Sequence, residues 1–359
     1  MRNYIKWIRY SISITIVIII IISVFNYKID SLGLFGNSNY LSLVAKDLTS
    51  GKMVAGLKNY DERYFQELIV KKSTIKNDVI AIGSSKLMQL RKRFFLDQDM
   101  NFFNHSVSGA SLEDYIAIVG LYESFNDYLP DKIILGIDPW IFNKHNDQNR
   151  WKTLSKYYDY EINKIYNEQK DINVNINLIK WKQLFNYDYT IRNINFFKTL
   201  LKNNRRAYFV TNTIEIDESI KELDGSIHHP YKDRYPNYEE VKKSAVLSAK
   251  KPVYSLESYT TFSDTKIFED FIKYLLEKKV EIIFFLPPYH PIAYDLLIKN
   301  NSYKIIHKVE NHLINFSDNH SIKLIGSYNP HKYNLKNEDF IDGMHPNENV
   351  IKKIFDYND

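Results

Sequence analysis

Cysteine is absent from the 359 residues. No disulfide framework, thiolate zinc site or cysteine nucleophile can be built from this chain. Charge of one sign is equally hard to find in quantity. A formal net charge of +5, with no dense basic block, argues against nucleic-acid binding. No internal repeat is present. Charged residues are missing altogether from Tyr10 through Tyr27, whose middle reads "ITIVIIIIISVF". As a helix at about 1.5 Å per residue, this run is about 27 Å long, enough to cross a hydrocarbon core. No small-x-small cleavage site comes after it, since the next residues are "NYKIDSLG", so the sequence predicts a retained anchor over 10–27 rather than a removed signal peptide. Arg2, Lys6 and Arg9 predict a cytoplasmic tail over 1–9, with the remainder of the chain outside the cytoplasm.

Beyond the anchor the chain is globular in composition, with 44% hydrophobic and 25% charged residues overall. Three apolar runs, "DVIAIGSS" (78–85), "NFFNHSVSG" (101–109) and "DKIILGIDP" (131–139), read as strands closed by turn signals. Between the last two, Leu112, Ile116, Val119 and Tyr122 recur at helical spacing. Next come a helix running into a strand at Val280–Leu286, a long helical stretch from Ile292 to about Phe316, a fifth strand in "SIKLIGSY" and a last helix over 347–357. This alternation predicts an α/β fold: a doubly wound, mainly parallel five-stranded sheet with functional loops at the carboxyl ends of its strands. Residues 28–74 read as a linker and a helical segment. Residues 141–260 read as a helical or irregular insertion in a domain spanning 75–359. The insertion is rich in Tyr, Asn and Lys and carries "YYDY" (157–160), "NNRRAYF" (203–209) and "DGSIHHPYKDRYPNY" (224–238).

Small polar motifs fall just after these strands. Ser85 ends "IGSS", ahead of "KLMQLRKRFF", which reads as a helix. A serine there is most often a cap, but free N–H groups at a helix start also favour developing negative charge. Gly109 in "SVSGAS" is ordinarily a turn residue, yet it offers a second unobstructed N–H for an oxyanion hole. "IDGMHPNEN" places Asp342 three residues ahead of His345. By itself this is a turn before a helix opened by Pro346. With a serine nucleophile elsewhere, it is also an acid orienting a base. Tyr289 and His290 in "PPYHP" end a strand beside these loops and read as substrate contacts or loop packing. His228 and His229 lack acidic or histidine partners at ligand spacing and read as a polar loop, with no metal and no cofactor expected. His105 reads as a loop or core histidine.

"IGSS", "NHSVSGAS" and "DGMHPN", in that order, resemble the SGNH/GDSL hydrolase superfamily. With the N-terminal anchor and "FFLPPYHP", the chain is similar to membrane-anchored members that serve O-acylation of cell-surface polymers. These include the alginate O-acetylation proteins and the teichoic acid D-alanine transfer protein. The resemblance covers most of 75–140 and 265–357. It implies Ser85 as nucleophile, Gly109 as oxyanion donor, and Asp342 and His345 as the rest of a triad. Two positions depart from the pattern. Ser84 stands where Asp usually precedes the serine, and Asp138 in "LGIDPW" stands where the superfamily has an oxyanion-hole Asn. An ionised carboxylate would repel an oxyanion, so Asp138 must point away, be protonated or bind substrate. The implied activity passes an acyl group, expected to be acetyl, through an acyl-serine to a cell-surface glycan. A polytopic membrane acyltransferase is the implied partner. The alternatives are an esterase or deacetylase using water, and a silent glycan-binding or scaffold subunit.

Overall fold

A computed structural model describes residues 2–35, 40–94, 99–143, 145–167, 181–202, 207–250, 256, 265–300 and 303–358. The uncharged N-terminal run forms one helix, α1 (Arg2–Ile29), which satisfies its backbone groups internally. Its most apolar window has a mean hydropathy of 2.4 and is not buried against the rest of the chain. It is long and apolar enough to cross a membrane.

The five expected strands are all present: β2 (Val79–Gly83), β3 (Phe102–Asn104), β4 (Lys132–Gly136), β8 (Glu281–Leu286) and β9 (Lys323–Gly326). They form a wholly parallel sheet in the order β3-β2-β4-β8-β9. Both faces are covered, which is why the strands read as unbroken apolar runs. Ile80, Ile82, Ile133, Leu135 and Phe284 point into one core, shared with helix α4 (Leu112–Asn126), helix α8 (Thr265–Glu277) and helix α10 (Ile305–His320). Val79, Ala81, Ile134, Ile283 and Phe285 point into the other. There Val350, Ile351, Ile354 and Phe355 supply the apolar stripe of the last helix, α11 (Glu348–Asn358). The chain leaves β2 for β3 on one side and then crosses back to β4 on the other. The carboxyl ends of β2 and β4 therefore flank the crevice where the winding reverses.

Three expectations differ from the structure. The residues after Ser85 are consecutive turns with one 3-10 turn, Lys92–Phe94, and not a helix. The stretch from Ile292 is broken into α9 (Pro291–Ile298) and α10. The insertion is also more ordered than its weak periodicity predicts. Its short strands β5 (Phe209–Thr211), β6 (Ile220–Lys221) and β7 (Ile227–His228) join β1 (Met53–Ala55) in an antiparallel sheet, ordered β5-β1-β6-β7. Strands of two or three residues are too short to leave a period of two. The segment 28–74 adds helices α2 (Tyr40–Thr49) and α3 (Glu62–Lys72), whose Leu41, Val44, Phe65 and Ile69 form a third core with Val54 and Phe103. The insertion also contributes α5 (Ser155–Tyr166), α6 (Tyr187–Lys202) and α7 (Tyr238–Lys250). Residues 168–180, 203–206, 251–255 and 257–264 of it, with the first four residues of "NNRRAYF", lie outside the described residues.

Candidate active site

Ser85 sits just beyond the C-terminal end of β2 and is half-buried, so its hydroxyl is reachable. Its Oγ lies 2.8 Å from His345 Nε2. The other ring nitrogen, His345 Nδ1, lies 2.8 Å from Asp342 Oδ2. An ionised carboxylate only accepts hydrogen bonds, so Nδ1 carries the proton and Nε2 presents a lone pair to the Ser85 hydroxyl. The second oxygen, Asp342 Oδ1, accepts from the N–H groups of Met344 at 2.7 Å and His345 at 2.8 Å. Partial burial alone would raise this carboxyl's pKa, but the hydrogen bond and charge of His345, with the two N–H donors, bring it down to about 2. Asp342 is therefore ionised throughout the neutral range.

The two halves of this relay come from opposite ends of the domain and are held together by buried polar contacts. Asn104 Nδ2 donates to the carbonyls of Leu87 and Leu90, fixing the turn that carries Ser85. Gln89 Nε2 donates to the Pro346 carbonyl at 2.8 Å, tying that turn to the residue after His345. Arg91, almost fully buried, donates to the Gln89 and Ile227 carbonyls and pairs with Glu348 at the start of α11. Gly343 answers to close approach. A Cβ there would lie 2.5 Å from backbone atoms of Ser244 and Ala245 in α7.

Gly109 lies in the loop after β3, in the left-handed region at φ +54°, a conformation that favours glycine. The loop is clamped by Glu62, which accepts from the Ser108 N–H and hydroxyl, and by Arg63, which donates to the Ser108 carbonyl. Arg63 is itself buried against Asp114 in a two-point ion pair at 2.8–2.9 Å. Among the described residues, the N–H groups of Ser85 and Gly109 make no hydrogen bond.

Asp138 pairs with Lys86, Oδ1 to Nζ at 2.9 Å, both side chains buried. The Lys86 ammonium also lies over the rings of Tyr289, at 4.3 Å, and Trp140, at 5.1 Å. A cavity of about 30 Å³ lies here between Lys86, Trp140, Leu256, Tyr289, Leu297 and Met344. Its lining includes the immediate sequence neighbours of Ser85 and His345, Lys86 and Met344. Tyr289 thus lines the cavity, its hydroxyl pKa raised by burial and by Asp138. His290 does not. It is fully buried at the start of α9, where Nδ1 accepts from the Ile292 N–H and the ring packs on Phe340.

Sequence reasoning missed Lys86, Gln89 and Arg91, and it left the double histidine as a surface loop. His228 is buried between Arg91, 2.7 Å away, and Glu222. His229 brings its ring to 6.2 Å from that of His345. Burial, together with positive charge at His345 and Arg91, pushes the His229 pKa down to about 4, so it is a neutral wall of the site at pH 7. The clue in the sequence was only the pairing of two histidines with Pro230. His105 is a core residue, bridging Gln66 and the Tyr122 hydroxyl. No family model, curated protein or solved structure matches the chain.

Proposed function

We propose that the chain is a membrane-anchored, SGNH-like serine acyltransferase or esterase acting on acyl groups of a cell-surface glycan. The observation that carries this reading is the unbroken relay Ser85–His345–Asp342, with 2.8 Å at each step. In the first half-reaction Ser85 Oγ bonds the acyl carbon while its proton passes to His345 Nε2. The departing alcohol then takes that proton as the ester bond to the donor breaks. In the second, a sugar hydroxyl gives its proton to His345 and attacks the acyl-serine, and Ser85 recovers the proton as it leaves. Asp342 holds the tautomer and offsets the imidazolium charge. The N–H groups of Ser85 and Gly109 receive the oxyanion. The acyl group is proposed to be acetyl. Asp138, the residue that motivated the silent-subunit reading, is paired with Lys86, which supports the catalytic reading over that one. The domain lies outside the cytoplasm in this reading, supported by Arg2, Lys6 and Arg9 ahead of the uncharged run. An acyl donor made inside must cross the bilayer, so a polytopic acyltransferase is the proposed partner.

The test is acyl turnover in Ser85→Ala, His345→Ala and the double variant. Each single change is expected to cost roughly 10³-fold or more, and the double little beyond that, because the residues act as one unit. Normal turnover or normal fluorophosphonate labelling in Ser85→Ala would end the proposal. Acetylated acceptor against free acetate as product separates transfer from hydrolysis.

A further inference from the structure

Helix α6 carries two apolar faces, and among the described residues only one of them is buried. Tyr189, Asn193 and Phe196 face inward and are buried. Tyr187, Ile191, Phe197 and Leu201 recur at i, i+4, i+10 and i+14 on a different side and are exposed, Tyr187 by 77% and Leu201 by 64%. Trp181 and Phe185 extend the same exposed patch just ahead of the helix. An apolar stripe of this kind on a domain surface marks something that covers it.

The position of α6 identifies the cover. The last turn of α1 is bolted to it: Asn26 Nδ2 donates to the Leu184 carbonyl and the Thr190 hydroxyl, each at 2.8 Å. Asn193 donates to Asn26 Oδ1 and accepts from the Ser31 N–H, both at 2.9 Å, and the Tyr189 hydroxyl donates to Asp30. Phe25 packs edge-on against Phe197, and Tyr27 stacks on Trp181. Residues 26–31 come directly after the apolar run, so α6 is held at the level where that run ends. Lys28, Lys182 and Lys198 are exposed beside these elements, against one exposed acid on the helix, Asp188. Apolar side chains, ring residues and flanking cations at this level match a bilayer interface with anionic headgroups.

We infer that α6 and the turn before it form an interfacial foot, lying in the headgroup layer and fixing the domain's orientation over the membrane. This inference rests on α1 spanning the bilayer, and the experiment separates the two. The chain has no cysteine, so single cysteines can be labelled uniquely in the full-length protein. An environment-sensitive fluorophore is placed at Tyr187→Cys, Ile191→Cys or Leu201→Cys, at Asp188→Cys or Asn195→Cys, and at Ile18→Cys. Each variant is reconstituted alone into phosphatidylethanolamine–phosphatidylglycerol vesicles. Labels at 187, 191 and 201 are expected to be quenched several-fold more by nitroxide lipid than those at 188 and 195, with the order reversed for aqueous iodide. Equal iodide quenching at all five positions, with the label at 18 shielded, overturns the foot and leaves the anchor standing. An iodide-accessible label at 18 overturns both. Shielding of the stripe without nitroxide quenching means that a second copy of the chain covers it, which also overturns the foot.

Discussion

A carboxylate close to a developing oxyanion opposes acyl chemistry unless its charge is turned elsewhere and compensated. In the proposed acyl chemistry, Asp138 meets the second condition through its ion pair with Lys86. Its backbone is extended ahead of Pro139, as expected for a residue before proline, and its buried side chain meets Lys86. Two buried charges in contact stand only as a pair, because either one alone keeps its desolvation penalty. Asp138→Asn is therefore expected to lose about 3–5 kcal/mol by leaving the Lys86 ammonium without a counter-charge. The companion variant Lys86→Met/Asp138→Leu should regain most of that loss. Urea midpoints of the two variants beside wild type check this, and an Asp138→Asn protein as stable as wild type refutes the assignment.

Among the elements, the decisive one is an irregular segment. The turn after β2 carries Ser85 without a helix to stiffen it, so its shape depends on Asn104, Gln89 and Arg91. The loop carrying Asp342 and His345 depends in the same way on α7, against which Gly343 packs with no room for a side chain. Gly343→Ala must push α7 or the loop aside, since the atoms in the way are backbone. A displacement of about 1 Å in a catalytic group can cost on the order of 10²-fold in rate. A fall of roughly that size in fluorophosphonate labelling of Ser85 is expected, with the β-sheet core still folded by circular dichroism. Labelling at the wild-type rate would mean that α7 does not position the triad.

For the whole molecule, three imidazoles, two of them fully buried (His105 and His290), weaken the fold in acid. Burial pushes the pKa of His105 down to about 3 and those of His229 and His290 to about 4, below the ordinary 6.5. A group whose folded pKa is depressed binds more protons when unfolded. Its contribution is complete above about 6.5 and is lost as pH falls toward 4. For His290, which is fully buried, the loss at pH 5 is about 2 kcal/mol, at ~1.4 kcal/mol per pH unit. The urea midpoint of detergent-solubilised protein should therefore fall between pH 7 and pH 5. His290→Asn keeps a helix-capping side chain and removes one titration, so its midpoint should fall less. An equal fall in both proteins would show that His290 is not one of the groups responsible.

Local pattern determined much of this protein by sequence alone. Unbroken apolar runs with turn signals locate all five strands of the parallel sheet. Helical spacing locates α4 and α11, and the uncharged run specifies α1. Asp342 and His345 are legible as a pair because three residues of one turn already bring them together. Contacts between distant segments were decided only by folding. Ser85 meets His345 across 260 positions, and Lys86 meets Asp138 across 52, because parallel strands deliver their carboxyl-end loops to one edge of the sheet. The antiparallel sheet stayed hidden because strands of two or three residues are held by a partner from elsewhere in the chain and not by any periodicity of their own. In the same way, "KLMQLRKRFF" has helix-forming residues, yet its carbonyls are engaged by Asn104 and its side chains by Pro346 and Ile227. Tertiary hydrogen bonds there replace the local ones that a helix would have made.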